Sequence, residues 1–170
     1  MRQLPGLGYD LIVFRTHSTS DFRNVSLPGD PVFIYTGERH NRFRYTYQQL
    51  TRQIMAGRVL YDEEAPPLFI VGPEFVRQTM KGHFDGTHFI IGGCDSLSST
   101  LLAEALVERG ASTVIGWDGL VDLTHNDRAL LNIVRLLTVE DATPQEAVAG
   151  TQLAIGSDPT FKSSLSYFIP

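Results

Sequence analysis

Two residues in this chain have the type and setting for nucleophilic chemistry: its single cysteine, Cys94, and the histidine His17. A thiol becomes a strong nucleophile as the thiolate, so a catalytic cysteine needs access and a base or positive field beside it. Cys94 follows the strand-forming run Thr87-His88-Phe89-Ile90-Ile91 across Gly92-Gly93, and His17 follows the apolar run Leu11-Ile12-Val13-Phe14 across Arg15-Thr16. If both runs are buried strands of an open α/β sheet, their carboxyl ends bring thiol and imidazole to one edge, where such folds keep their ligands. Glycines before Cys94 allow close backbone approach, and the N–H groups of Cys94 and Ser18 are candidate oxyanion donors.

Each of these residues also has a plainer reading. A lone cysteine at a strand end is commonly a small buried hydrophobe. His88 sits inside a strand pattern, His83 and His125 fall in loops, and His40 lies in a basic and aromatic stretch. A metal set of His17, His125, Asp95 and Asp122 can be drawn, but no HxH or HExxH spacing supports it, so no metal is expected. Asp95, Asp118 and Asp122 are expected on the same sheet edge as Cys94, where carboxylates would pair with a lysine or arginine of a substrate. The competing roles are helix capping for Asp95 and turn capping for Asp122. Trp117, at a strand end, either lines a pocket or closes the core.

The elements that must position these groups are legible as blocks. Strands are expected at Leu11 to Phe14, Pro31 to Tyr35, Leu68 to Val71, His88 to Ile91 and Ser112 to Trp117. Arg39 to Tyr47 alternates basic or polar with aromatic residues, the period of a half-exposed strand or hairpin arm, and Gln48 to Arg58 suits a short helix. Loops are expected from Thr16 to Asp30 and at Tyr61 to Pro67. Further helices are expected from Pro73, from Leu97 to Arg109 with Gly110 as the stop, from Asp127 to Leu137, and from Pro144 with Thr143 as N-cap. Apolar strands separated by helices argue for a largely parallel sheet.

The length of 170 residues suits one domain, spanning 1–170, with 36–60 as a hairpin and helix insertion. A net charge of −5 gives no long-range attraction for phosphate or anionic lipid, so neither nucleic acid nor membrane is expected as a partner. No apolar run approaches the ~20 residues that span a bilayer, and no secretory h-region is visible, so a cytoplasmic location is expected. One cysteine makes no intramolecular disulfide.

Taken together, Arg15-Thr16-His17-Ser18, Gly92-Gly93-Cys94-Asp95-Ser96, the run Gly110 to Trp117 and the helix entry Pro144-Gln145-Glu146-Ala147 resemble the caspase-like cysteine peptidases, in particular the CHAT, gingipain and separase branch. The resemblance covers Leu11 to Ser18 and about Thr87 to Gly150. It implies a three-layer α/β sandwich with a mostly parallel sheet flanked by helices, with the elements before the histidine strand missing from this chain. It implies Cys94 as nucleophile, His17 as general base and then acid, the N–H groups of Cys94 and Ser18 as oxyanion donors, and Asp95, Trp117, Asp118 and Asp122 around a basic P1 residue. Ser18 replaces the glycine that usually follows the histidine. The resemblance implies a protein or peptide substrate, no cofactor, and a second chain or an N-terminal domain completing the sheet. The alternative reading is an inactive scaffold of the same fold that binds a partner.

Overall fold

The computed structural model describes residues 1–20, 29–59 and 64–170. The expected loops from Thr16 to Asp30 and from Tyr61 to Pro67 lie partly outside these residues. Four strands build the central sheet: β1 (Leu11–Arg15), β6 (His88–Gly92), β7 (Thr113–Trp117) and β8 (Leu165–Phe168), in the order β1-β6-β7-β8. The first three run parallel, with Leu11 beside His88 and His88 beside Thr113, and β8 closes one edge antiparallel to β7. The chain is therefore α/β, with a mixed, mostly parallel sheet flanked by helices.

Because side chains alternate across a strand, β6 and β7 serve two cores at once. Phe89, Ile91 and Val114 face one cluster, with Leu102, Ala105 and Leu106 of α3 (Leu101–Glu108) and Phe75 and Val76 of α2 (Pro73–Gln78). Ile90, Ile115 and Trp117 face the other, with Ala129, Leu130 and Ile133 of α4 (Leu123–Val139) and Ala147 and Val148 of α5 (Pro144–Ile155). Both faces being covered explains why β6 and β7 read as continuous apolar runs.

A second sheet departs from expectation. The runs at Phe33 and Leu68 do not join the parallel sheet; β2 (Ser18–Thr19), β3 (Phe33–Arg39), β5 (Leu68–Val71) and β4 (Ile54–Gly57) form an antiparallel sheet in the order β2-β3-β5-β4. A short buried run carries no mark of whether its neighbour is parallel. Arg39 is the last residue of β3, and the expected strand to Tyr47 gives way to a turn and a one-turn helix, α1 (Thr46–Leu50). The expected helix to Arg58 is likewise replaced beyond Leu50, because Ile54 to Gly57 pair with Val71 to Leu68.

Helix bounds also shifted for local reasons. The expected start of α3 at Leu97 is delayed to Leu101, because the Leu97 N–H bonds the Trp117 carbonyl at 2.7 Å and Ser96 Oγ bridges the Ile91 carbonyl and the Trp117 N–H at 2.8 Å each. The loop after β6 is thus hooked onto the end of β7. Helix α4 starts at Leu123, earlier than Asp127, because the Asp122 carboxylate accepts the N–H groups of Thr124 and His125. Thr143 caps α5 in a reciprocal capping box with Glu146, as read from the sequence.

In β1 the N–H and C=O groups of alternate residues serve β6, shown by His88 N–H to the Asp10 carbonyl and Thr16 N–H to the Gly92 carbonyl. Those of Leu11, Val13 and Arg15 consequently point to the outer edge. Among the described residues no strand pairs there.

Candidate functional site

The neighbouring parallel strands β1 and β6 end together, so the turn carrying His17 and the turn carrying Cys94 lie side by side. Ser18 Oγ donates to the Cys94 carbonyl at 2.6 Å, a direct clasp between the two turns. Gly93 is required at this crossing: a Cβ there would stand 2.5 Å from the Thr16 carbonyl oxygen, with Ser18 Oγ closer still. Position 92 is just as tight, since a Cβ would meet Leu130 and the Asn126 side-chain oxygen.

His17 is exposed, its carbonyl accepts the Tyr35 N–H at 3.0 Å, and its ring meets the Tyr35 ring edge-on at 6.1 Å between centroids. Ser18 lies opposite Ile34, next to the bonded His17 and Tyr35 pair, so its N–H faces away from β3. Cys94 is half-buried. Its Sγ lies 3.8 Å from the Val121 carbonyl, and the side chain packs against the core beneath α4 and α5. Burial pushes the thiol above its ordinary range; the Val121 backbone opposes this, and the Asp95 and Asp158 carboxylates add to it. A cavity of about 120 Å³ lies beside His17, lined by Arg15, Thr16, His17, Gly92, Leu123 and Asn126.

The acidic candidates separate. Asp95 adopts a left-handed backbone (φ 56°), its N–H bonds the Gly119 carbonyl at 2.8 Å, and its carbonyl accepts the N–H and Oγ of Ser98, so it shapes the loop and caps no helix. Asp118 is exposed and accepts the Ser164 N–H at 2.7 Å. Asp122 caps α4, and its own N–H is held by the Asp158 carboxylate at 2.8 Å. Trp117 is only 1% exposed, with its indole N–H on the Asn126 side-chain oxygen at 2.9 Å; it closes the core.

Four residues that sequence reasoning passed over shape this edge. Asp127 holds Arg15 through two bonds of 2.7 and 2.9 Å; the bond keeps the carboxyl below its ordinary range and lifts the guanidinium. Asn126 carries the Trp117 bond and helps line the cavity, and Leu123 completes its wall. Asp158 is fully buried; burial alone would raise its carboxyl, but the N–H groups of Phe161, Asp122 and Thr160, with His125 nearby, hold it below the ordinary range. None of the four had a spacing signal toward Cys94, since each lies 31 or more residues past the end of β6 and reaches this edge only by folding back. His125 itself is buried, its Nε2 3.2 Å from the Gly156 carbonyl, and His88 Nδ1 lies 2.9 Å from Ser112 Oγ. Among the described residues no group of His, Cys, Asp and Glu is arranged to hold a metal ion, and no helix is long and apolar enough to cross a membrane.

No protein-family model, no curated protein and no solved structure matches this chain.

Proposed function

We propose that the chain is a cysteine endopeptidase domain of the caspase-like kind, with Cys94 as nucleophile and His17 as base. The observation that carries the reading is the clasp between the two strand-end turns, in which Ser18, next to His17, bonds the carbonyl of Cys94 itself. In this reading the thiol proton passes to His17 as sulfur attacks the scissile carbonyl carbon. The Cys94 and Ser18 N–H groups receive the developing oxyanion. His17 then protonates the departing amine, and water, deprotonated by His17, releases the acyl group from the thioester. Asp118, the exposed carboxylate of the three, favours lysine or arginine at P1, with the charges of Asp95 and Asp122 behind it, and Trp117 supports the site from within the core.

C94A is expected to abolish cleavage of Arg- and Lys-containing reporter peptides and labelling by acyloxymethyl ketones, and H17A to slow cleavage by about a hundredfold or more. Cleavage that survives C94A overturns the proposal. A second reading, an inactive partner-binding scaffold, is favoured by the packing of the Cys94 side chain against the core and by a cavity beside His17 that Cys94 does not line. It predicts no labelling of the folded wild-type protein.

A further inference from the structure

The stretch from the end of β3 through β4 has a charge unlike the rest of the molecule. Residues 39–59 hold five of the chain's fourteen basic residues, Arg39, Arg42, Arg44, Arg52 and Arg58, and none of its nineteen acidic ones. Within the same stretch Phe43, Tyr47 and Leu50 are 74, 66 and 85% exposed, three large apolar side chains in the turn and the helix α1 that follows it. Arg42 stacks over Phe43 at 4.6 Å and Arg44 over Tyr45 at 5.1 Å.

This turn borders a cavity of about 310 Å³ on the face of the second sheet opposite Tyr35. Its floor is apolar, formed by buried Phe69, Val71 and Phe75, and Tyr45, Glu38 and Arg2 stand at its rim. Tyr45 is held there in a left-handed conformation (φ 54°), a costly state for a non-glycine residue. Its ring meets Phe69 edge-on and its hydroxyl donates to Glu38 at 3.2 Å. Glu38 and Arg44 pair at 2.6 Å and together add no net charge, so the positive sign of the rim comes from Arg2.

We propose that this surface docks an acidic peptide segment of a partner protein, with one bulky apolar side chain seated in the cavity and carboxylates on Arg2 at its rim and on Arg39 and Arg42 of the adjoining stretch. An apolar anchor in a pocket, with arginine and aromatic residues beside it, is the arrangement that concentrates binding energy at protein interfaces. A nucleic acid is the poorer fit, because its phosphate backbone would run past the patch onto a surface where nine basic residues face nineteen acidic ones, whereas a short peptide stays on the patch. The proposal is independent of the chemistry at Cys94.

The test uses a fluorescein-labelled peptide of aspartate and glutamate with one central phenylalanine, read by fluorescence anisotropy. Saturable binding is expected, weakened about tenfold, or about 1.4 kcal/mol, when the peptide's phenylalanine is replaced by alanine. The double variant R39E/R42E is expected to weaken it at least as much, with melting temperature checked by circular dichroism. Equal binding of the phenylalanine and alanine peptides overturns the anchor without any change to the protein. Absence of peptide binding, or tighter binding of oligouridylate than of the peptide, overturns the proposal.

Discussion

At the scale of single residues, the Cys94 thiol sets the pH at which chemistry can occur. Its proton affinity is raised mainly by burial, so alkylation of the folded protein by iodoacetamide should rise through a midpoint above that of an unhindered cysteine. A neutral thiol favoured by the fold contributes stability below the unfolded thiol's pKa, and that contribution is lost as pH rises through the folded value. D95N should move the alkylation midpoint downward, because the Asp95 charge adds to the elevation; no movement would remove Asp95 from the field at the sulfur. S18A deletes the clasp and should cost about 1 kcal/mol in urea unfolding. G93A should cost more, about 1–3 kcal/mol, because backbone and not a flexible side-chain tip blocks the new methyl. Residue types suggested His17 and Cys94 as neighbours, and the Ser18 clasp shows their turns in contact. Asp127 was not legible, because its pairing with Arg15 across 112 residues leaves no local spacing to read, and nothing local to Asp158 announces its bond to Asp122.

At the scale of elements, what the sequence revealed depended on whether an element carries its own signal. Helix α5 announced itself through Thr143, Pro144 and Glu146, a cap that works locally whatever packs above it. Strands β6 and β7 were visible as apolar runs because both faces are buried. By contrast β4 was hidden: Ile54 to Gly57 is four residues long, and its pairing with β5 outweighs the helical preference of the residues before it. The same limit concealed the second sheet, since direction of pairing is decided by connections and not by composition. Helix α4 supplies a prediction at this scale. D122A removes a side chain that accepts two helix N–H groups and should cost about 1 kcal/mol, with the loss of α4 protection visible in amide exchange.

At the scale of the whole molecule, the acid limit of stability belongs to carboxylates whose folded pKa is lowered: Asp158 in its cradle of N–H groups, Asp127 and Glu108 beside arginines, and Glu146 in its capping box. Such groups contribute stability above the unfolded carboxyl value, near pH 4, and the contribution is lost as pH falls through the folded values. The melting temperature should therefore fall steeply below about pH 4. D158N should flatten that fall by removing one titrating group, while lowering stability at neutral pH. A D158N profile that parallels the wild type would show that other carboxylates dominate.

The one-sided pairing of β1 has a consequence for timing. Leu11, Val13 and Arg15 turn their amides outward, so among the described residues the histidine's strand is secured to its sheet through β6 alone, whereas the cysteine's strand is secured on both sides. Local opening begins where the fewest bonds must break. In hydrogen exchange, then, β1 should release its protons well before β6, and each such opening would leave His17 held from the second sheet, through the Tyr35 N–H on its carbonyl, while Cys94 stays in place. The approach of the two turns would keep the clock of an edge strand, and a polypeptide laid along that edge would slow the clock without touching either side chain.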